Sequence, residues 1–145
     1  MDDDGFNAAV RRALLALRAT LGLFLLQWGV EKFVVPENTV GIWGHFYGMQ
    51  VSETIGYLFG AIEIALALCL FLGIFRTVAY GAALAIHAVT VAVTWRQLTS
   101  PWSNPINHLF LAAVPVLGGF IALFLLRRWD RGVLDRGVTS DPAVG

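Results

Sequence analysis

The sequence predicts an all-α integral membrane protein, a bundle of four spanning helices with both termini in the cytoplasm. Of its 145 residues, 57% are apolar and 14% are charged, whereas an ordinary soluble domain has about 25% charged residues. The charges also concentrate at the ends: 12 of the 20 lie in the 31 residues outside Ala13 to Leu126. The apolar interior is long enough for four spans of about 20 residues each.

Helix-breaking residues divide this interior into its spans. The first apolar run ends before Pro36, and a later run of about two span lengths can turn only near Gly73, Arg76 and Thr77. A polar segment with two prolines precedes the last run. The predicted spans lie at about 13–35, 54–75, 77–95 and 108–126.

Basic residues near the span ends set the expected orientation, because cytoplasmic loops carry an excess of lysine and arginine. Lys32 and Arg96 fall at one end of a four-span topology. The other end collects Arg11, Arg12, Arg76, Arg127, Arg128, Arg131 and Arg136. We therefore expect residues 1–12 to form a cytoplasmic N-terminal segment and residues 127–145 a cytoplasmic tail.

The loop between the first two spans should then face outside, and it is rich in aromatic residues. It contains Trp43, Phe46 and Tyr47, and aromatic rings are enriched at membrane interfaces. We expect the loop to lie in the interface as an aromatic anchor. An ordinary exposed loop is the alternative.

Each predicted helix carries one stripe of polar or small residues at helical spacing. The stripes are Arg18, Gly22, Gly29 and Lys32; Gly56, Gly60, Glu63 and Ala67; Arg76, Tyr80, Ala83, His87, Thr90 and Thr94; and His108, Ala112, Pro115, Gly119 and Ala122. Ionisable groups are costly in hydrocarbon, so each stripe should face the bundle interior. The candidate polar cluster or ligand site therefore comprises Glu63, His87, Lys32, Arg18, Arg76, Tyr80 and His108.

Glu63 and His87 are predicted to be interior neighbours. Both lie about 14 to 15 Å from a span end, close to the midplane. A histidine or lysine partner beside a buried carboxylate lets the site hold or relay a proton. A purely structural contact between helices is the alternative.

Glycines in the outer half of the bundle point to a ligand cavity. Lys32 and Glu63 are separated by roughly 9 Å along the membrane normal, and two such groups need partners or water. Gly29, Gly56 and Gly60 lie nearby on facing helices. We expect a cavity rimmed by Lys32, covered by the aromatic loop and able to take a quinone head group or a lipid. In the competing outcome the glycines simply let the helices touch.

Several other functions are excluded or disfavoured by composition. Ten basic and ten acidic residues give no net field for nucleic acid. The single cysteine, Cys69, cannot form an intrachain disulfide, and no metal-ligand spacing is present, so no metal is expected.

Two segments, LRATLGLFLLQWGVEKF and GAIEIALALCLFLGIFRTVAYGAAL, resemble the DoxX family of small four-helix bacterial membrane proteins. The resemblance covers about residues 15–126. It rests on the spacing of Arg18, Gly22, Gly29 and Lys32, and on the step from Gly60 to Glu63 followed by Leu72, Gly73 and Arg76.

The resemblance implies a multi-pass protein of the bacterial inner membrane that is associated with redox or quinone-linked metabolism. Some relatives are membrane subunits of quinone-linked sulfur oxidation or partners of oxidative-stress enzymes. A non-covalent quinone and a membrane or soluble redox partner protein are the expected ligand and partner. If catalytic, the chain is a subunit of a quinone-linked oxidoreductase. The alternatives are a non-catalytic scaffold or assembly factor and a small-solute carrier. Gln27 and Glu31 lie on the other side of the first span. They indicate either a contact between subunits of a homo-oligomer or the end of the helix at the membrane interface.

Overall fold

A computed structural model describes residues 3–103 and 108–130. Six α-helices are present in this part of the chain: α1 (Asp3–Val34), α2 (Pro36–Ile42), α3 (Glu53–Leu72), α4 (Arg76–Val93), α5 (Trp95–Thr99) and α6 (Ala113–Leu125). A π-helical turn, Trp43–Tyr47, follows α2, and a 3-10 segment, His108–Ala112, leads into α6. The predicted all-α fold is confirmed.

Four helical stretches are long and apolar enough to cross a membrane: Gly5–Val34, Glu53–Leu72, Arg76–Val93 and His108–Leu125. They correspond to α1, α3, α4, and the 3-10 segment with α6. The chain is therefore a multi-pass membrane protein with the predicted four-helix bundle. The orientation of its termini remains a prediction.

The four long helices alternate in direction, and each packs against two neighbours in the order α1, α3, α4, α6. α1 packs most extensively on α3, α4 packs on α6, and the α3–α4 and α1–α6 contacts close the bundle. One end of the bundle, called here the terminal end, carries the start of α1, the turn at 73–75 and residues 126–130. The opposite end, the loop end, carries residues 35–52 and 94–103.

α1 is longer than the predicted span and includes most of the expected N-terminal segment. It has 32 residues, or about 48 Å at 1.5 Å per residue, against a hydrocarbon core of about 30 Å. The helix ends before Pro36, as predicted. Val35 leaves the helical region (φ −137°, ψ 65°) because the proline ring disfavours a helical conformation in the preceding residue.

The tight turn between α3 and α4 occurs at the predicted break. Gly73 takes the left-handed conformation (φ 59°), and its N–H donates to the carbonyl of Leu70 while that of Ile74 donates to Cys69. These two bonds form a Schellman motif, which satisfies the last carbonyls of α3. Phe75 is also left-handed (φ 49°), at a steric cost of about 1–2 kcal/mol.

The apolar core lies mainly in the terminal half of the bundle. It consists of Leu14, Leu21, Leu25, Ala67, Leu70, Ala79, Tyr80, Ala83, Phe120 and Leu123. The predicted interior stripes are confirmed for α1 and α3, whose eight members are all buried. In α4 the stripe is buried at Tyr80, Ala83, His87 and Thr94 and half-buried at its other two positions.

The stripe predicted for the fourth span is wrong. His108, Ala112 and Pro115 are exposed, and α6 instead buries Phe120 and Leu123. Small residues need not face the interior here, because lipid tails solvate them as well as another helix would. The 3-10 segment also changes the residue period ahead of α6, which shifts the face that a continuous α-helix would present.

Candidate functional site

A buried ion pair joins α1 to α3 in the loop half of the bundle. Lys32 Nζ lies 2.7 Å from Glu63 Oε2 and also donates to the carbonyl of Trp28 at 3.2 Å. The two side chains are about one-tenth exposed or less. The ammonium is 5.9 Å from the Trp28 ring centroid, within the range of a cation–π interaction. The two charges therefore neutralise each other inside the span.

The direction of the side chains explains why Lys32 reaches Glu63 despite the expected 9 Å separation. Helical side chains lean toward the N-terminus of their own helix. α1 and α3 run antiparallel, so Lys32 leans toward the terminal end and Glu63 toward the loop end. The two side chains therefore extend toward each other. Of the two partners considered for Glu63, a histidine or a lysine, the lysine is the one observed.

Glycines bring the two helix backbones together beside this pair. A Cβ atom added to Gly60 would lie 2.9 Å from the carbonyl oxygen of Gly29, and one added to Gly29 would lie 3.0 Å from that of Gly60. A Cβ on Gly56 would meet the Thr39 side chain of α2 at 3.3 Å. No room for a ligand exists at these three glycines. At these glycines the competing outcome, direct helix contact, is the one observed. A ligand beside Lys32 stays a prediction.

His87 has its own partners and does not bond Glu63. Its Nε2 lies 3.0 Å from the carbonyl oxygen of Ala113. Its ring stands edge-on to Phe24 at 5.3 Å and tilted against Phe120 at 5.5 Å. His87 is interior, as predicted, but it faces α1 and α6, whereas Glu63 faces α1 at Lys32. The predicted Glu63–His87 pair is therefore replaced by two separate contacts.

A second polar network lies at the terminal end and centres on Asp130. Tyr80 Oη donates to Asp130 Oδ2 at 2.7 Å, and Arg76 donates to the Asp130 backbone carbonyl. Arg18 Nε lies 3.6 Å from Asp130 Oδ2. Arg18, Tyr80 and Asp130 are all buried. The single predicted cluster is thus divided between the two halves of the bundle.

Asp130 was missed by sequence reasoning because it lies in residues 127–145, the segment expected to be a cytoplasmic tail. It is only 3% exposed, so the chain after α6 packs back onto the bundle at least as far as this residue. The sequence did contain a clue. Asp130 is the one acidic residue in the run RRWDR, and this run follows the last span at the end of the bundle where the stripes containing Arg18 and Tyr80 begin. Residues 131–145 lie outside the described part of the chain.

His108 does not join either buried group. It is exposed at the start of the 3-10 segment, so its inclusion in the candidate cluster is wrong. The 3-10 segment begins at the loop end, where a polar ring can remain at the membrane surface without a partner in the bundle.

A sequence model of the DoxX family matches residues 13–96, more than half of the chain. The chain belongs to the DoxX family. The resemblance predicted from the sequence is confirmed, although the matched region stops before α6. Comparison with curated proteins and with solved structures gives no match.

The DoxX-matched region contains the complete Lys32–Glu63 pair but only part of the terminal network. Arg18, Arg76 and Tyr80 fall within it, and Asp130 falls outside it. The ion pair is therefore contained in the family region, whereas the terminal network needs a residue from the segment that follows α6.

The aromatic loop of this DoxX protein packs across the loop end. Trp43 stacks on Tyr47 with the ring centroids 5.5 Å apart, and all three predicted aromatic residues are half-buried. Their partners lie on three further elements: Phe59 of α3, Thr90 of α4 and Phe110 of the 3-10 segment. A loop anchored in this way is not an ordinary exposed connection.

Proposed function

We propose that this DoxX protein is a bacterial inner-membrane subunit associated with quinone-linked redox metabolism, in which Lys32 and Glu63 bind a quinone oxygen and handle its proton. The proposal rests on one observation, the ion pair buried between two spanning helices. Charged groups inside a membrane are costly and most often serve transport, proton relay or ligand binding.

The residues present fit the polar end of a quinone. An ammonium has three N–H donors, and Lys32 uses two of them, on Glu63 and on Trp28. The third has no hydrogen-bond partner among the residues that the structure describes. Glu63 Oε1 is likewise without a partner there. One donor and one acceptor thus remain for a ligand, next to the Trp28 ring.

The two residues would have different roles. Reduction of a quinone requires two electrons and two protons, and the electrons would come from a membrane or soluble redox partner protein. Lys32 would donate a hydrogen bond to the ligand's carbonyl oxygen. As a carboxylate, Glu63 would keep the lysine charged and oriented. During reduction its Oε1 would take the two protons from water, one at a time, and pass each to the ligand.

Photo-crosslinking with a quinone analogue tests this proposal on the purified protein. We expect saturable labelling of α1 and α3 near Lys32 and Glu63, and loss of most of it in Glu63→Gln. Glu31→Gln is the matched control, because Glu31 is a half-buried carboxylate of α1 that accepts from Asn38 instead. Absence of labelling at saturating probe, or equal loss in both variants, refutes the proposal.

A second candidate function, a non-catalytic scaffold for another membrane protein, is favoured by Gln27. This residue is exposed within the α1 span, where an amide facing lipid gains from a partner helix. Gln27→Leu should release a co-purifying partner. Thr20→Val is the control, because Thr20 is also exposed and its hydroxyl already donates to the carbonyl of Ala16 at 2.9 Å. Equal recovery of partners with Gln27→Leu and the unmodified chain argues against the scaffold.

The orientation of the protein in the proposed inner membrane can be tested by reporter fusions. Besides the buried Arg18, five arginines of the described chain lie at or near the terminal end: Arg11, Arg12, Arg76, Arg127 and Arg128. This end should therefore face the cytoplasm. Alkaline phosphatase should be active when fused at residue 45 and inactive at residue 140. Activity at residue 140 contradicts the orientation.

A further inference from the structure

Arg18 is a buried cation whose hydrogen bonds are incomplete. It is only 4% exposed, and neither Nε nor Nη1 has a hydrogen-bond partner among the residues that the structure describes. Asp130 Oδ2 lies 3.6 Å from Nε, beyond hydrogen-bonding distance. That oxygen already accepts from Tyr80 at 2.7 Å. The chain's own carboxylate thus supplies charge but no hydrogen bond to the guanidinium.

The chemistry of the guanidinium defines which kind of ligand would accept hydrogen bonds from its unpaired N–H groups. Arginine presents its N–H donors as a rigid planar fork, which matches the oxygens of a phosphate or carboxylate. Leaving such donors buried and unpaired is costly. An oxyanion with two or more oxygens would satisfy both Nε and Nη1, which a single carbonyl group would not.

The depth of Arg18 places this group at the membrane boundary. One turn further into the bundle, a Cβ on Gly22 would meet the Phe71 ring at 2.9 Å, and Phe71 is in the last turn of α3. Arg18 is therefore level with the turn that joins α3 to α4. Its side chain leans toward the start of α1, which is the direction of the lipid head groups.

The surrounding charge favours an anion. Arg11, Arg12 and Arg128 are exposed at the same end of the bundle, and basic sites between helices on the cytoplasmic side attract anionic head groups. We propose that Arg18 binds the phosphate oxyanion of an anionic phospholipid at the terminal end of the bundle. This site is separate from the Lys32–Glu63 pair, and its test does not depend on a quinone.

The test measures lipid binding to the full-length chain in detergent by native mass spectrometry. Phosphatidylglycerol is added after delipidation, and inorganic phosphate is added in a parallel series. We expect phosphatidylglycerol to bind the unmodified protein, and Arg18→Gln to weaken that binding by about tenfold or more. Arg96→Gln removes an exposed arginine from the opposite, loop end of the bundle and should change the affinity by less than about twofold.

Asp130→Asn provides a second test that keeps Arg18 in place. The amide can still accept from Tyr80, but the competing negative charge is gone, so phosphatidylglycerol should bind more tightly. Unchanged or weaker binding in this variant overturns the proposal. Equal loss in Arg18→Gln and Arg96→Gln also overturns it, as does an unmodified protein that binds neither ligand. If inorganic phosphate binds as tightly with the same dependence on Arg18, the oxyanion chemistry holds but the lipid source is wrong.

Discussion

α3 and α6 are the two most apolar spans of the bundle, yet they pack very differently. In the most apolar 18-residue stretch of each span, 28% is buried within the protein in α3 and 11% in the span that contains α6. Gly60 of α3 touches the backbone of α1, whereas a Cβ on Gly118 of α6 would meet nothing within 4 Å. Hydropathy alone therefore does not indicate which span forms the interior.

The difference follows from the absence of a hydrophobic driving force between helices in lipid. α3 carries a carboxylate that needs a partner and glycines that permit close approach to α1. α6 has no formal charge of its own, and it contacts the bundle through the large side chains of Phe120 and Leu123. Polar groups and small residues, more than apolarity, determine the tightest contact.

The largest effect is expected from breaking the ion pair of α3. Lys32→Met leaves Glu63 buried and unpaired, so the free energy of unfolding should fall by about 3–5 kcal/mol. SDS titration of the purified protein measures this. The double variant Lys32→Met/Glu63→Leu should recover most of the loss, because no uncompensated charge remains. A double variant as unstable as the single one would show that the charges are not the cause.

The glycine contact should come next. An alanine at position 60 would place its Cβ 2.8 Å from Phe33 Cε2 and 3.0 Å from Lys32 Cβ as well as against Gly29. Gly60→Ala should therefore force α1 and α3 apart and cost about 3 kcal/mol. The same SDS titration applies, with the Lys32–Glu63 pair left chemically intact. A stability change below about 0.5 kcal/mol would contradict the close packing.

A smaller effect is expected where the chain after α6 is held to the bundle. Tyr80→Phe removes the hydrogen bond to Asp130 and should lower the free energy of unfolding by about 1–2 kcal/mol. Tyr57→Phe is the matched control, because the Tyr57 hydroxyl bonds Glu53 at 3.3 Å in an exposed position. Thermal unfolding in detergent compares them. Equal shifts of Tm in the two variants would argue against a specific role for Tyr80.

The smallest effect on stability is expected at Gly118 of α6, which has no close neighbour. Gly118→Ala meets no neighbour and raises helix propensity, so it should be neutral or stabilise the protein by up to about 1 kcal/mol. Comparison of the two variants distinguishes the steric cost of a Cβ at Gly60 from the gain in helix propensity, which both substitutions share. A clear destabilisation would mean that α6 packs more tightly than described.

Much of the fold could be predicted from the sequence because its signals are local. Pro36 and Gly73 mark helix boundaries through their own backbone chemistry, and the stripe around Glu63 follows helical periodicity. The partner of Glu63 could not be predicted from depth alone, since it depends on which way each side chain leans. Asp130 was missed for a related reason: its burial depends on how the segment after α6 meets Arg18 and Tyr80, which no local pattern specifies.

The pairing of Lys32 with Glu63 also constrains how the protein enters the membrane. A carboxylate at the centre of a spanning helix adds about 2.5–3.5 kcal/mol to the apparent cost of its insertion. α3 meets this cost with an ammonium on α1, the span that precedes it in synthesis and is connected to it by residues 35–52. Biogenesis is thereby coupled to chain order: the first two spans are best integrated as one helical hairpin, with α1 present in the bilayer before α3 leaves the translocon.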